Sequence, residues 1–199
     1  MIPAARGGHP STGGRVYHRR VNDRSHDSDH LLTERLTLRR PVPGDTDAIF
    51  TIHSDPATCV HNPSDALSRR EEGLELFQRW DDHWQRLGYG YWVVRRRDSD
   101  RQLGFCGTKI MDLNGMSVLN LFYRFEVSSW GQGLAGEAAK AVVEWVSERV
   151  PELPVIARVR PANLASQRVA VRAGLQRAEH LDTAGEDGLD WIFARNLPA

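Results

Sequence analysis

Three glycines crowd into "SSWGQGLAGEA", residues 128–138: Gly131, Gly133 and Gly136. Glycine is costly in regular structure, so such a cluster suggests a backbone that must come close to something. The spacing is G-x-G-x-x-G, the register that seats a dinucleotide pyrophosphate. That use requires the first βαβ unit of a parallel sheet and an acidic residue about 20 positions on. Here three hairpin-linked strand-like runs come first, and the following strand, "VIARVR", carries no acid. A P-loop does not fit either, because the Gly-Lys-Ser/Thr ending is missing. A more general chemistry remains. A helix opening near Gly133 exposes unpaired N–H groups and about half a positive charge. Glycines let an anion approach those donors, which makes a seat suited to pyrophosphate. A turn that merely packs a helix on a sheet fits the same residues.

The second polar constellation is "ANLASQRVAVRAGL", where Asn163 is a natural N-cap and Gly174 a helix stop. The two cysteines, Cys59 and Cys106, have neither metal-ligand spacing nor a disulfide framework, and no metal site is expected.

These residues need elements to position them. "ERLTLRRPV" alternates Leu36 and Leu38 with polar neighbours and reads as a strand. A short helix follows, with Ala48, Ile49 and Ile52 on one side, ending before Pro56. A longer one spans about Ser68 to Leu87, on a stripe of Leu74, Phe77, Asp81, Trp84 and Leu87. Three strand-like runs, Tyr89–Arg96, Gln102–Met111 and Met116–Val127, are joined by "DSD" and "DLNG" turns too short for crossovers. They must pair as an antiparallel meander. The glycine turn opens a helix whose apolar positions are Leu134, Ala138, Ala141, Val142, Trp145 and Val146. A strand at 153–160, the Asn163 helix and one or two late strands complete the order β α α β β β α β α β β.

The chain has 199 residues, enough for one domain with a substantial core. Residues 1–30, rich in Gly, Ser, His, Arg and Asp, read as a flexible arm. Formal net charge is +0, so nothing steers the molecule toward nucleic acid or an anionic membrane. No run approaches the ~18 apolar residues of a membrane span, and the start lacks a secretory h-region, so a cytoplasmic location is expected.

From about Leu32 to Asn196 the chain resembles the GNAT superfamily of acyl-CoA N-acetyltransferases, and above all its Rim-type branch. The residues that carry the likeness are Trp130-Gly131-x-Gly133-x-Ala135 with Glu137-Ala138, and Asn163-x-x-Ser166 eight residues before Gly174-Leu175. "TERLTLRRPVPGD" and "YWVVRRRDSDRQLGFCGT" match the branch's opening strand and central hairpin. The resemblance implies an α/β fold over 31–199: a mixed, largely antiparallel sheet of about six to seven strands, about four helices, and splayed central strands. It implies acetyl-CoA as cosubstrate and direct transfer of the acetyl group to a primary amine, on a protein N-terminus or a small molecule. An acyl-CoA-binding sensor of the same fold is the alternative, and a homodimer is left open.

By the same resemblance, backbone N–H groups of Gln132, Gly133, Leu134, Ala135 and Gly136 hold the pyrophosphate. A bulged strand end at about Phe125 to Val127 pairs with the pantetheine, and an N–H near Phe125 stabilises the thioester oxyanion. Asn163 hydrogen-bonds the pantetheine arm, and Ser166 gives a proton to the departing thiolate. Two family positions differ: the usual tyrosine is Ala170, and the usual inner-strand glutamate is Asn120. The remaining candidates for the base are Glu126, Asp182, Glu186 and His61. The helices of residues 44–87 form a wall of the acceptor site, where Trp80, Trp84, Asp81 and Asp82 could meet a cationic amine, with a core position the preferred reading for Trp84.

Overall fold

The computed structural model describes residues 30–198; all of the expected arm except His30 lies outside them. Strands β1 (His30–Leu32), β2 (Leu36–Arg39), β3 (Tyr91–Arg96), β4 (Gln102–Leu113) and β5 (Met116–Phe125) form one antiparallel meander. The β4–β5 turn follows from its residues. Asn114 and Gly115 both have positive φ, 53° and 85°, as a two-residue hairpin loop of the I′ kind requires.

Between β2 and β3 come α1 (Thr46–Ser54), α2 (Pro56–Cys59) and α3 (Arg70–Leu87). Helix α4 (Leu134–Arg149) leads to β6 (Val155–Val159), which lies parallel to β5. Helix α5 (Leu164–Arg172) precedes β7 (Gln176–Arg177), β8 (Thr183–Gly185) and β9 (Gly188–Arg195), which pairs with β6. The sheet order is β1-β2-β3-β4-β5-β6-β9-β7, with β8 on β9.

Among the described residues the sheet has nine strands rather than six or seven, and there are five helices rather than four. The surplus is short. β1 and β8 have three residues each, β7 two and α2 four. The first helix ends before Pro56 as expected, and Pro56 then starts α2, with the Asp55 carboxylate accepting from the Ala57 N–H at 2.9 Å. Helix α3 begins two residues later than expected, because the Glu72 carboxylate accepts from the Ser68 and Arg69 N–H groups. Its buried stripe is Gly73, Phe77, Trp80 and Trp84, and Leu74 is exposed.

Side-chain alternation along the strands builds a core on each face of the sheet. Trp92, Val94, Cys106, Leu119 and Leu121 pack with α4 through Leu134, Ala138, Val142, Trp145 and Val146. Tyr91, Val93 and Phe105 pack with α1 and α3 through Ile49, Ile52, Phe77 and Trp80.

The feature that makes a site is where β5 and β6 part. They pair only at Leu119↔Val155 and Asn120↔Ile156, and beyond Asn120 the two strands diverge. β5 itself stays in unbroken register with β4 up to Gly104↔Phe125. The bulge expected at Phe125 to Val127 is therefore absent. The strand ends at Phe125 and a 3-10 turn, Val127–Ser129, follows.

Candidate active site

The fork between β5 and β6 opens into a cleft of about 1160 Å³. Its direction follows from strand geometry. The Leu119 N–H bonds the Pro154 carbonyl on the β6 side, and the Glu126 N–H bonds Leu103 on the β4 side. Amides alternate along a strand, so the N–H groups of Tyr123 and Phe125 face the side that β6 has left. They are backbone donors at an opened ladder, where an extended amide-bearing chain can pair.

One end of the cleft is the start of α4. Gly133 has φ +76°, a conformation other residues adopt only with strain, and it sits at the helix N-cap. The first bond of the helix is Glu137 N–H to the Gly133 carbonyl, so the N–H groups of Leu134, Ala135 and Gly136 have no partner within the helix. Those three residues and Gly133 line the cleft. A Cβ at Gly136 would lie 2.6 Å from Arg172 Cδ, and one at Gly133 would lie 3.0 Å from Arg172 Nη1. The glycines thus let an arginine of α5 lie across the helix start. Arg168 and Arg172 line the cleft beside it, with no ion-pair partner among the described residues. Free N–H groups, a helix dipole and two guanidiniums fit a pyrophosphate.

Other motif residues hold this turn in place. Glu137 accepts from Thr33 Oγ1 at 2.5 Å, the Arg35 N–H at 2.9 Å and Arg35 Nε at 2.7 Å. It ties α4 to the β1–β2 turn. Burial works against ionisation of this carboxyl, but the donors of Thr33 and Arg35 win and hold it below the usual carboxylate range. Trp130 Nε1 donates to the Phe125 carbonyl at 2.9 Å and pins the turn to the strand end. Gln132 is held from outside: Arg96 donates to its side chain, and Arg35 Nη1 to its carbonyl at 3.0 Å.

Across the cleft, Asn163 caps α5, its Oδ1 accepting from the Ser166 N–H at 3.0 Å. Ser166 faces a residue that the sequence reading passed over. Tyr123 donates to the Ser166 carbonyl at 2.9 Å, and the two hydroxyls lie 2.7 Å apart. Burial raises the Tyr123 phenol far above its ordinary value. The only earlier sign was strand parity: two residues before Phe125, Tyr123 had to share its face, the side of α4 and α5.

The other face of the sheet makes the opposite wall. Phe122 and Arg124 meet α1 and α2 there: His53 stacks on Phe122 at 5.9 Å, and Arg124 bonds Cys59 Sγ at 3.4 Å. His53 Nδ1 bonds the Ile49 carbonyl at 2.9 Å; burial, with the nearby Arg124 charge, pushes its pKa down to about 3. His83 Nε2 and Asn120 Oδ1, both in this wall, are buried without a partner among the described residues.

Of the expected site residues, Phe125, Gly133, Leu134, Ala135, Gly136, Asn163 and Ser166 line one cleft; Val127 and Gln132 do not. Glu126 does not line it either. Its carboxylate accepts from Arg101 at 2.8 Å and Ser128 at 2.8 Å, which removes it as a candidate base. Asp182 is bound by Arg177 and by the Ile192 N–H. Glu186 and His61 do line the cleft. On α3 the wall is Glu72, Leu76, Arg79, Trp80 and His83. Asp81 is instead paired with Arg40 at 2.6 Å, and Asp82 is exposed and outside the wall. Trp84 is core, donating to the Tyr91 carbonyl at 2.9 Å.

Comparison with known proteins agrees with this geometry. Residues 35–176 match the family model described as an acetyltransferase (GNAT) domain. The uncharacterized protein YkkB of Bacillus subtilis (strain 168) is 28% identical over 148 residues, covering 73% of this chain and 84% of YkkB. The uncharacterized N-acetyltransferase p20 of Bacillus licheniformis is 24% identical over 148 residues, 74% of this chain and 82% of p20. Among solved structures, RimL, a ribosomal L7/L12 alpha-N-protein acetyltransferase in complex with coenzyme A, superposes with a TM-score of 0.66 at 18% identity, covering 82% of this chain and 94% of that one. The matched span contains the fork, the glycine turn and the Asn163–Ser166 helix start, and the chain belongs to the GNAT family of acetyl-CoA-dependent N-acetyltransferases.

Proposed function

We propose that this protein acetylates a primary amine, on a protein N-terminus or a small molecule, by direct attack in the β5–β6 fork, with Ser166 and Tyr123 on the leaving-group side. The observation that carries this is the 2.7 Å contact of the two hydroxyls beside the opened strand edge. Acetyl-CoA supplies the activated acetyl group as a thioester. The α4 N–H groups, Arg168 and Arg172 receive the pyrophosphate; Asn163 and the N–H groups of Tyr123 and Phe125 receive the pantetheine.

Proton traffic is divided between the two faces of the sheet. Ser166 delivers a proton to the departing sulfur and regains one from solvent through the cleft, while Tyr123, whose raised pKa keeps it protonated, holds the serine in place. The acceptor amine loses its proton on the opposite face. His53 is too weak a base at about 3. His83 is the better candidate: burial, with Arg86 and Lys109 nearby, keeps its imidazole neutral, and its Nε2 has no partner among the described residues. Asn120 Oδ1 beside the fork accepts an amine or water N–H or O–H.

No described helix is long and apolar enough to cross a membrane, and we place the reaction in the cytoplasm. The test is thiol release from acetyl-CoA with N-terminal peptides, amino acids, polyamines and aminoglycosides. Acceptor-dependent release supports the proposal. Tight acetyl-CoA binding with no release for any acceptor replaces it with an acyl-CoA sensor.

A further inference from the structure

Besides Arg79, which is exposed to solvent, the acceptor wall contains three guanidiniums, and they are not equivalent. Arg158 is neutralised by Asp190, at 2.5 and 2.7 Å. Arg160 is held by Asp190 at 3.0 Å, Asp187 at 3.8 Å, the His61 carbonyl at 3.3 Å and the Gly188 carbonyl. Arg124 is the most buried, its side chain 5% exposed, and the least satisfied. One donor reaches Asp65, at 3.2 Å, and that carboxylate is itself 53% exposed. Another meets only the Cys59 sulfur, and Phe122 offers a ring face at 5.6 Å. A guanidinium has five N–H donors, so most of this one finds no oxygen among the described residues. None of its nitrogens is both sealed from water and unpartnered, so the donors left over reach solvent in the cleft, where an arriving oxyanion can replace water. Arg124 lines the cleft, so the arrival route is the acceptor's own.

We propose that Arg124 is an anion anchor in the acceptor site, and that the preferred acceptor is an amine with a carboxylate or other oxyanion close to its amino group. This rests on acetyl transfer in the same cleft. The placement follows from the strand: Arg124 directly follows Tyr123 on β5 and points to the opposite face, the one from which the acceptor amine approaches, so the anchor is on the acceptor's side of the reacting strand end. Free amino acids satisfy this through their α-carboxylate, peptides through an acidic first side chain, and aminoalkyl phosphates through phosphate. Polycationic acceptors do not.

The experiment compares kcat/KM for matched pairs: amino acids and their carboxamides, peptides starting with Glu or Gln, and phosphoethanolamine and ethanolamine. The preferred pair identifies the oxyanion. The anionic member of at least one pair is expected to be better by about ten- to a hundredfold, the range for a charge-assisted hydrogen bond. Arg124→Gln should bring that ratio close to one, chiefly by lowering kcat/KM for the anionic member. Asp65→Asn, at an exposed position, should widen the ratio by freeing the guanidinium, and it serves if Arg124→Gln fails to fold. Equal rates within every pair, or a ratio untouched by both variants, overturn the proposal. If no amine releases thiol, the transfer reading fails instead. Calorimetry of N-acetylglycine against N-acetylglycinamide on the coenzyme A-loaded protein then decides the anchor: selective binding of the acid upholds it, equal binding overturns it.

Discussion

The hydroxyls of Tyr123 and Ser166 sit 2.7 Å apart on elements that are far apart in sequence, one on β5 and one in the first turn of α5. A serine alone is a poor acid. A serine held by a buried phenol that stays protonated is fixed in place to give up a proton, which solvent in the cleft returns. Ser166→Ala should lower kcat about a hundredfold while acetyl-CoA affinity, measured by calorimetry, changes less than about threefold. Tyr123→Phe should reproduce most of that loss, and the double variant should be little worse than Ser166→Ala, as expected for groups acting as a unit. Full turnover in Ser166→Ala removes the pair from the mechanism. On the other face, His83→Gln should depress kcat by about tenfold or more, with the deficit read in kcat rather than in the KM for acetyl-CoA.

At the scale of elements, the site is the junction of a strand that stops, a glycine turn and two helix starts. Gly133→Ala tests the turn. It forces a φ of +76° on alanine, at about 1 kcal/mol or more, and brings a methyl to 3.0 Å from Arg172 Nη1. Acetyl-CoA affinity should fall about tenfold or more, with only a few degrees lost in Tm. Unchanged affinity would mean that the turn packs the helix and holds no anion. The meander, the amphipathic α4 and the Asn163 cap were legible because each depends on local spacing and turn chemistry. The glycine turn was legible for the same reason: one short stretch of chain contains it. Tyr123, His83 and Arg124 were not, because their meaning depends on what faces them across the sheet. The reading of Glu126 failed similarly. Its place beside the strand end is local, but its partner Arg101 is brought in by β4.

For the molecule as a whole, its buried imidazole links the site to stability. His53 is 3% exposed, between Trp80, Phe105 and Phe122, beside Arg124. Burial and that charge put its folded pKa at about 3, against 6.5 for the free side chain. The unfolded chain therefore takes up a proton below 6.5 that the folded protein refuses. Stability is full above 6.5 and drains as pH falls toward 3, at about 1.4 kcal/mol per pH unit for this group. His83, also shifted down, adds to the same slope. The carboxyls of Asp45, Glu137 and Asp182 are held low, so their contributions are lost only from the ordinary carboxylate range downward. Acid unfolding should thus begin in a histidine window. Between pH 6.5 and 5 His53 alone costs roughly 2 kcal/mol, or about 4–8 °C in Tm for a chain of this size. His53→Leu should remove most of that slope even if its Tm at pH 7 is lower, because no proton can then be gained there on unfolding. A variant whose Tm falls between pH 6.5 and 5 as steeply as the parent's would show that His53 is not the group that titrates.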